Sequence, residues 1–356
     1  MNYAIIGCGR ISSNNIQAAI NNKLNVVALC DIIEDRAAEK KSLFHLENSK
    51  IYTDYKKMLA QEQLDLVTIA TESGKHAQIA IDCINAGVNV IIEKPIALSL
   101  ADADRIIEAG KKNNVKVCAC HQNRFNKSIQ KIRKAIENGS FGKLLHGAAH
   151  IRWARDKHYY DQAPWRGTWA QDGGALMNQC IHNIDLLRWM MGNDIIEVMA
   201  YTDKLKHDYI EAEDLGLAIV KFANGSYGLI EGTVNVFPKN LEETLYIFGE
   251  KGTVKAGGKS VNKLETWQFA ENDEDSAYVL EHYSENPANI YGFGHTPLYA
   301  DMIDAINSDR APYVDAYAGK RALELVLAIY KSANEGKAVQ LPLKECASID
   351  FKGRFD

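Results

Sequence analysis

Short apolar runs alternate with amphipathic stretches over the first third of the chain. The runs are rich in valine and isoleucine and show no polar alternation; they cover residues 3–6, 26–30, 64–70, 88–92 and 115–118. Such runs are typical of parallel strands buried on both faces, and the stretches between them have helical spacing. Right-handed connections then give a doubly wound sheet. We therefore expect an α/β, Rossmann-like domain over residues 1–122.

The pattern changes after residue 122 and indicates a second domain over residues 123–356. Helical spacing occurs at 127–137, 174–191, 297–306 and 318–333, and strand-like runs occur at 144–153, 195–202, 216–222, 226–234, 244–248 and 253–256. The later strands alternate and are joined by glycine-containing turns at 223–225 and 249–252. This predicts an α+β domain with a large open antiparallel sheet. One face of that sheet is free to pack on helices or on a second subunit.

A glycine-rich loop follows the first strand and opens a helix, which is the context in which such a loop binds a pyrophosphate. Gly7 permits the tight turn, and Gly9 lets backbone N–H groups approach phosphates at a helix N-terminus. Ser12 stands where a third glycine is usual. The alternative is that the glycines only make a turn.

Asp31 ends the second strand, about 20 residues after the loop, where an acid accepts hydrogen bonds from the adenosine ribose. A carboxylate repels a 2′-phosphate, so the sequence predicts NAD as the cofactor. Arg10 and Arg36 leave NADP as an alternative, and Asp31 as a simple helix cap is another.

Two further segments carry candidate chemistry. Lys94 lies in Glu93-Lys94-Pro95, directly after the strand at 88–92, where ligands of open α/β sheets bind. Asn178 and His182 are four residues apart on the helix at 174–191 and share a face, with Asp185 continuing a polar stripe.

Oxidation of an alcohol needs a base for the hydroxyl proton and a stabiliser of the developing alkoxide. An ordinary histidine with a pKa of about 6.5 is mostly neutral at pH 7, whereas a lysine at about 10.4 needs a large shift to act as a base. We therefore predict His182 as the base and Lys94 as the cation that holds the alkoxide, with Asn178 orienting the substrate. The alternative for His182 is a hydrogen-bonded core histidine.

Composition narrows the class of protein. The net charge of −5 gives no positive field for nucleic acid, and an apolar content of 46% with 24% charged residues is ordinary for a globular chain. No run is long enough to span a bilayer and no leader precedes the first strand, so we expect no membrane partner and a cytoplasmic location. The seven cysteines lack the spacing of a zinc site or a redox dithiol, and we expect buried thiols and no metal.

Four motifs together resemble the glucose-fructose oxidoreductase/inositol dehydrogenase/MocA family over nearly the whole chain. They are GCGRIS at 7–12, Thr71-x-Ser73-x-x-His76, EKP at 93–95 and GGALMNQCIHNID at 173–185. The resemblance implies that Lys94 and His182 contact substrate, and that the cofactor is bound by Gly7, Gly9, Arg10, Ile11, Asp31, Thr71, Ser73, His76, Glu93 and Lys94. It also implies NAD- or NADP-dependent sugar or cyclitol chemistry in a homodimer or homotetramer. The family's usual aspartate in the last motif is Asn178 here.

Within that family, residues 159–169, Asn178 and residues 292–295 resemble bacterial UDP-N-acetyl-D-glucosaminuronate dehydrogenases. Those enzymes oxidise the C3 hydroxyl of the sugar for surface polysaccharides, and relatives of this type pass the hydride to a 2-oxo acid. The resemblance implies substrate binding by Asn178, Tyr160 and Arg155, with Trp165 and Arg166 near the nicotinamide. A locally basic segment at 142–170 suits an anionic nucleotide sugar, although a solvated charged face is the alternative.

Two other functions stay open at this point. A relative of the same family would oxidise a neutral sugar or inositol. A different class is a non-catalytic NAD-binding sensor, against which the presence of both Lys94 and His182 argues.

Overall fold

The apolar runs at the start of the chain become the strands of a parallel sheet in the computed structural model, which describes residues 1–192, 194–271, 275–287 and 291–356. The strands are β1 (Asn2–Ile6), β2 (Asn25–Cys30), β3 (Lys50–Tyr52), β4 (Leu66–Ile69), β5 (Asn89–Ile92) and β6 (Val117–Ala119). The helices between them are α1 (Ser12–Asn21), α2 (Glu34–Leu43), α3 (Tyr55–Gln61), α4 (His76–Asn85) and α5 (Leu100–Asn113). Their order, β3-β2-β1-β4-β5-β6, confirms the doubly wound α/β fold.

The central strands form the core of this sheet because both of their faces are apolar. All four residues of β4 are buried, as are the last four of β1. The strand order reverses between β1 and β4, and the loops after these two strands lie at the carboxyl edge, where open α/β sheets bind their ligands. β3 was not predicted from sequence, because it has only three residues and too little apolar pattern to be recognised.

Contacts divide the chain into two units, which we describe separately. Unit 1 comprises Met1–His121 and Gly294–Lys320, and unit 2 comprises Gln122–Phe293 and Arg321–Asp356. Residues 294–320 thus belong with the Rossmann-like domain and not, as the sequence pattern predicts, with the second domain. This segment contains α10 (His295–Asn307), whose Tyr299 hydroxyl is 3.0 Å from that of Tyr3 and 2.6 Å from that of Thr68. Helical spacing predicts such a helix but not the unit on which it packs.

Unit 2 contains the second sheet. Its strands are β7 (Leu144–Arg152), β8 (Ile195–Asp203), β9 (Leu215–Phe222), β10 (Tyr227–Thr233), β11 (Glu242–Gly249), β12 (Gly252–Gly257), β13 (Lys263–Phe269) and β14 (Val339–Gln340). Helices in or entering this unit are α6 (Lys127–Glu137), α7 (Lys157–Asp161), α8 (Ile181–Met191), α9 (Ser276–His282) and α11 (Ala316–Glu335). A π-helical segment, Leu176–Cys180, leads directly into α8.

The second sheet has the order β13-β12-β11-β7-β10-β9-β8-β14, and it is mixed rather than purely antiparallel. β7 and β10 pair in parallel, whereas the other neighbours are antiparallel. The parallel pair arises because α7, α8, β8 and β9 lie between β7 and β10 in the chain, so no hairpin joins them. β13 and β14 were not predicted.

The remaining expectations concern the membrane and the thiols. Over the described part of the chain, no helix is both long and apolar enough to cross a bilayer. All seven cysteines are buried, as expected.

Candidate functional site

The loop after β1 combines one crowded glycine with one open glycine. Gly7 has a φ of +95°, and a Cβ there would lie 2.5 Å from the carbonyl carbon of Ala70, so a side chain is excluded. At Gly9 a Cβ would meet none of the described atoms within 4 Å. The Ser12 hydroxyl donates to the Gly9 carbonyl at 2.6 Å and closes the loop onto α1. The loop is therefore packed against the backbone of Ala70 at Gly7 and open at Gly9. A phosphate group fits on the open side.

Asp31 links this loop to the end of β2. Its carboxylate accepts hydrogen bonds from the backbone N–H groups of Cys8, at 2.8 Å, and Ile33, at 2.9 Å. Asp31 is buried, whereas the next residue, Ile32, is 84% exposed. Arg10 is exposed and Ile11 is half-buried at the start of α1. A carboxylate held in this way fits a ribose with two free hydroxyls better than a ribose phosphate.

His76 joins the loops that follow β4 and β5. Its Nδ1 lies 2.7 Å from the Pro95 carbonyl and its Nε2 lies 3.1 Å from the Thr71 carbonyl. Burial lowers the pKa of His76, although both carbonyl contacts oppose this. Because both ring nitrogens face backbone carbonyls, any contribution of His76 to cofactor binding is indirect. Ser73 is buried and Thr71 half-buried in the same loop.

Glu93 is a buried carboxylate directly before Lys94. Asn15 on α1 donates to its Oε1 at 2.8 Å, and the His295 Nε2 lies 3.6 Å from the same oxygen. Burial alone would raise the pKa of Glu93, but the contacts with His295, Asn15 and Lys94 outweigh it and lower the pKa to about 2. Glu93 thus stays ionised, and it directly precedes the half-buried Lys94 in the chain. Asn15 was not predicted from sequence, and His295 was named only as part of the 292–295 resemblance, without a role at Glu93.

Three potential metal ligands meet at this point, although the sequence analysis saw no such cluster. The ligand atoms of Glu93, Cys120 and His295 lie within 4.8 Å of one another, and all three residues are buried. Their positions are too far apart in the chain to form a recognisable spacing. The polar contact between Glu93 and His295 already explains why two of these three residues lie together.

In unit 2, the segment that carries Asn178 and His182 is buried except at these two residues. Every other residue from 172 to 191 is buried, while Asn178 and His182 are partly exposed. These two side chains are thus the partly exposed ones in an otherwise buried segment. Asn178 lies in the π-helical segment and His182 in the first turn of α8. Widened turns of this kind are frequent at functional sites.

The predicted extension of this stripe to Asp185 is wrong. Asp185 is fully buried and accepts two hydrogen bonds from Arg124, both at 2.6 Å, and one from Arg188 at 3.1 Å. A buried carboxylate needs such partners, and here they come from elements that the helical spacing does not reveal.

A second buried carboxyl group supports the start of the same helix. Glu213 accepts hydrogen bonds from the Leu176 N–H at 2.7 Å and from the Tyr330 hydroxyl at 2.8 Å. Burial raises the pKa of Glu213 to about 8, and the charge of Asp172 adds to this. A Cβ at Gly174, where φ is +98°, would lie 2.0 Å from the Glu213 Oε2. The glycine is required because this carboxyl group packs against the backbone.

Two arginines of the basic segment gather around Tyr159. The guanidinium carbon of Arg166 lies 4.1 Å from the Tyr159 ring centre, and that of Arg155 lies 4.9 Å from it. Gln179 donates to the Tyr159 hydroxyl at 2.9 Å and so ties this group to the π-helical segment. Among the described residues, neither guanidinium lies within ion-pair distance of a carboxylate.

Other members of the basic segment are neutralised locally. Arg152 pairs with Glu231 and Glu242, and Lys157 pairs with Asp161 at 2.6 Å. Tyr160, an expected substrate contact, is buried with its ring 5.6 Å from that of His207. Its neighbour Tyr159, which the sequence analysis did not single out, is the tyrosine against which the arginines stack. Trp165 lies under Arg166, with 4.9 Å between the guanidinium carbon and the ring centre.

Unit 1 carries Lys94 and the cofactor loop, whereas unit 2 carries Asn178, His182 and the arginines. The convergence of Lys94 and His182 on one carbon therefore stays a prediction.

Comparisons with known proteins identify both units. Residues 1–121 match the family model described as "Oxidoreductase family, NAD-binding Rossmann fold", and residues 133–341 match "Oxidoreductase family, C-terminal alpha/beta domain". The structure is similar to that of the WlbA dehydrogenase from Bordetella pertussis in complex with NADH and UDP-GlcNAcA, with a TM-score of 0.90 and 37% identity over 97% of this chain and 98% of that chain. The WlbA dehydrogenase from Chromobacterium violaceum, also in complex with NADH and UDP-GlcNAcA, gives a TM-score of 0.88 and 35% identity over 97% and 96% of the two chains.

A curated relative, myo-inositol 2-dehydrogenase from Thermotoga maritima, is 28% identical over 96% of this chain and 98% of its own length. The predicted Rossmann domain, the NAD cofactor and the oxidoreductase class are thereby confirmed. The chain belongs to the GFO/IDH/MocA family of oxidoreductases and is an NAD-dependent dehydrogenase.

Proposed function

We propose that this dehydrogenase oxidises the C3 hydroxyl of a UDP-N-acetylglucosaminuronic acid to the 3-keto sugar, in the cytoplasmic synthesis of surface polysaccharide sugars. The observation that carries the substrate choice is the pair of arginines, Arg155 and Arg166, stacked on Tyr159 without a carboxylate partner among the described residues. The two WlbA structures, which hold NADH and UDP-GlcNAcA, support the same choice.

The charge of such a substrate matches this part of unit 2. A UDP-uronic acid carries a diphosphate and a carboxylate, and guanidinium groups bind both kinds of anion through paired N–H donors. Asn240 accepts from Arg155 at 3.1 Å and orients it without neutralising it. An inositol or a neutral sugar would gain nothing from two uncompensated cations. Tyr160, buried beside Tyr159, helps to hold the ring against which the arginines stack.

Each proposed catalytic residue has one task. NAD, when bound, accepts a hydride from the carbon that bears the hydroxyl. His182 takes the hydroxyl proton, Lys94 stabilises the alkoxide as a cation, and Asn178 orients the sugar. Glu93, ionised and buried, favours the charged form of Lys94.

Unit 1 supplies the residues that we assign to NAD. They are Gly7, Gly9, Arg10, Ile11, Asp31, Thr71, Ser73, Glu93 and Lys94, with His76 acting through the loops that it joins. Trp165 and Arg166 are assigned to the nicotinamide end.

The relationship to the Thermotoga maritima enzyme favours an alternative, a dehydrogenase of inositol or another neutral polyol. To decide, the NAD-loaded protein is mixed with UDP-GlcNAcA, with UDP-GlcNAc, which lacks the carboxylate, or with myo-inositol, and NADH is followed by its absorbance. We expect NADH formation with UDP-GlcNAcA far above that with the other two. Formation with myo-inositol alone would support the alternative, and formation with no member of a broad sugar panel would favour a sensor.

Variants of the arginines test the site as well as the substrate. Arg155→Met should raise KM for UDP-GlcNAcA more than it lowers kcat, because Arg155 binds the charge of the substrate and not the reacting hydroxyl. Arg166→Met should raise KM and also lower kcat, because Arg166 is assigned to the nicotinamide end as well. Lys157→Met is the matched control, since Lys157 is exposed and paired with Asp161. Equal effects of all three variants would contradict the assignment.

The second sheet supports a homo-oligomer. One of its faces exposes a row of apolar side chains on β8, β9 and β10, comprising Tyr201, Leu217, Ile219, Tyr227 and Leu229. We propose that a second copy covers this row in a homodimer or homotetramer. Ile219→Arg should lower the mass measured by light scattering, whereas Leu205→Arg, on an exposed loop, should not.

The last part of the proposal concerns the compound that takes the hydride from the reduced cofactor. We assign a 2-oxo acid as the final acceptor, with the cofactor retained between turnovers. Addition of 2-oxoglutarate after a single turnover should then consume the bound NADH, and an unchanged NADH signal would contradict this step.

A further inference from the structure

Asp172 lies six residues before Asn178 and is joined to it by a side-chain hydrogen bond. Its Oδ1 accepts from the Asn178 Nδ2, and its Oδ2 accepts from the Gly167 N–H at 2.7 Å. The Asp172 backbone N–H donates to the Thr168 carbonyl at 3.1 Å, so the carboxylate sits on a closed turn. Asp172 is only 1% exposed. Its carboxylate is therefore held in one place from two sides.

This hydrogen bond fixes which side of the Asn178 amide donates. A primary amide has a donating NH₂ and an accepting oxygen, and a carboxylate can only accept. Turning the amide over would set its oxygen against the Asp172 oxygen. The NH₂ group of Asn178 therefore faces Asp172, and the amide oxygen is the group that can accept a hydrogen bond. Asn178 is one of the two partly exposed side chains in an otherwise buried segment.

Asp172 lies near a second carboxyl group, and its charge acts on that group. The neighbouring carboxyl group is Glu213, whose burial raises its pKa to about 8, so it is mostly neutral at pH 7. Position 178 is also where the family's motif usually has an aspartate. In this chain position 178 carries an amide, and the carboxylate belongs to Asp172, which accepts a hydrogen bond from that amide.

We propose that Asp172 is a positioning residue that orients Asn178 as a hydrogen-bond acceptor for a sugar hydroxyl. Its carboxylate, bound to the Asn178 amide, replaces the carboxylate that position 178 lacks. The inference rests on the proposed function only in so far as Asn178 touches the sugar. The orientation of the amide does not depend on the identity of the substrate.

A test of orientation needs no substrate. In protein labelled with ¹⁵N-asparagine, the side-chain NH₂ signal of Asn178 is assigned by its loss in Asn178→Ala. We expect this signal to lie downfield of ordinary asparagines, because its N–H points at a carboxylate, and to move upfield in Asp172→Asn. Asp161→Asn, an exposed aspartate paired with Lys157, is the control and should leave it in place. An unchanged signal in Asp172→Asn overturns the proposal.

Kinetics separate positioning from a purely structural role. Asp172→Asn should lower kcat with UDP-GlcNAcA by about 10²-fold, as misorientation of a reacting group does. The exchanged pair Asp172→Asn/Asn178→Asp restores both a donor and a carboxylate, so it should regain activity to within about tenfold of the wild type. Its kcat/KM profile should also shift to higher pH, because the charge now stands nearer to His182 and favours the protonated imidazole.

The outcomes distinguish the two proposals. If wild-type protein binds NAD but does not oxidise UDP-GlcNAcA, the proposed substrate is wrong, and the amide signal still decides the role of Asp172. If wild type turns over and Asp172→Asn matches it in kcat and KM, the positioning role is wrong. If Asp172→Asn fails to fold, the exchanged pair carries the test, and an exchanged pair that folds and binds NAD but is inactive overturns the proposal.

Discussion

The Glu93 carboxylate and the His295 imidazole face each other inside unit 1, with 3.6 Å between Oε1 and Nε2. Both residues are buried; Glu93 directly follows β5 and His295 begins α10, and these two elements are distant in the chain. The pair ties the residue before Lys94 to a helix that the sequence analysis had assigned to the other domain.

His295→Leu should destabilise the protein on the order of 3 kcal/mol, because it leaves a buried carboxylate without one of its partners. The pKa of Glu93 in the folded state, about 2, lies below its ordinary value of 4.5. Its stabilising contribution is therefore present above pH 4.5 and is lost as the pH falls toward 2. The gap between variant and wild type in thermal melts should shrink over that window.

His158→Leu, at an exposed histidine, is the control for this series and should melt like wild type at every pH. A destabilisation by His295→Leu that stays constant from neutral to acidic pH would mean that packing, rather than the charge of Glu93, is responsible.

His182→Ala should reduce turnover on the order of 10²–10⁴-fold while NAD binding is kept, as loss of a general base does. Turnover is read from NADH formation, and binding from the fluorescence of titrated NADH. His158→Ala serves as the control. Near-normal turnover in His182→Ala would remove this residue from the mechanism.

Asp31→Ala should weaken NAD binding about tenfold or more and reduce the preference for NAD over NADP. The carboxylate holds the loop through the Cys8 N–H and repels a 2′-phosphate, and alanine does neither. Binding constants for both nucleotides measure the effect, with Asp35→Ala, on the exposed side of α2, as control. An unchanged ratio of the two constants would show that Asp31 does not select the cofactor.

Glu213→Gln should make stability less dependent on pH. The pKa of Glu213 rises from 4.5 to about 8 on folding, so its contribution is fully present below pH 4.5 and is lost as the pH rises to 8. Glutamine resembles the protonated form, and it should melt above wild type at pH 8 and close to it at pH 4.5. Parallel melting curves across this window would show that Glu213 is ionised in the folded protein.

The chemical pattern of the first half could be predicted from sequence because it depends on neighbours in the chain. Gly7 and Gly9 follow a strand directly, and Asp31 ends the next one, so the two features predict the NAD loop together. Strand and helix spacing likewise predicted most of the second sheet. The parallel pairing of β7 with β10 was not predictable, since spacing along a strand does not reveal its partner.

What sequence reasoning missed depends on contacts between distant positions. His295 meets Glu93 through the packing of α10, and Arg124 withdraws Asp185 from the polar stripe that helical spacing suggests. Asp172 lies close to Asn178 in sequence, yet the turn at 168–173 that brings them together carries no periodic signal.

The π-helical segment Leu176–Cys180 has a consequence for how the chain tolerates insertions and deletions. A π turn holds one residue more than an α turn, so removal of a single residue there would restore ordinary helical phase. The residues before and after the cut would keep their faces, because the π turn accommodates the additional residue locally. Removal of Gln179 or Cys180 would place Asn178 three residues before His182 instead of four, so a one-codon deletion in this segment would change the spacing of these two side chains while the buried surface of α8 stayed intact.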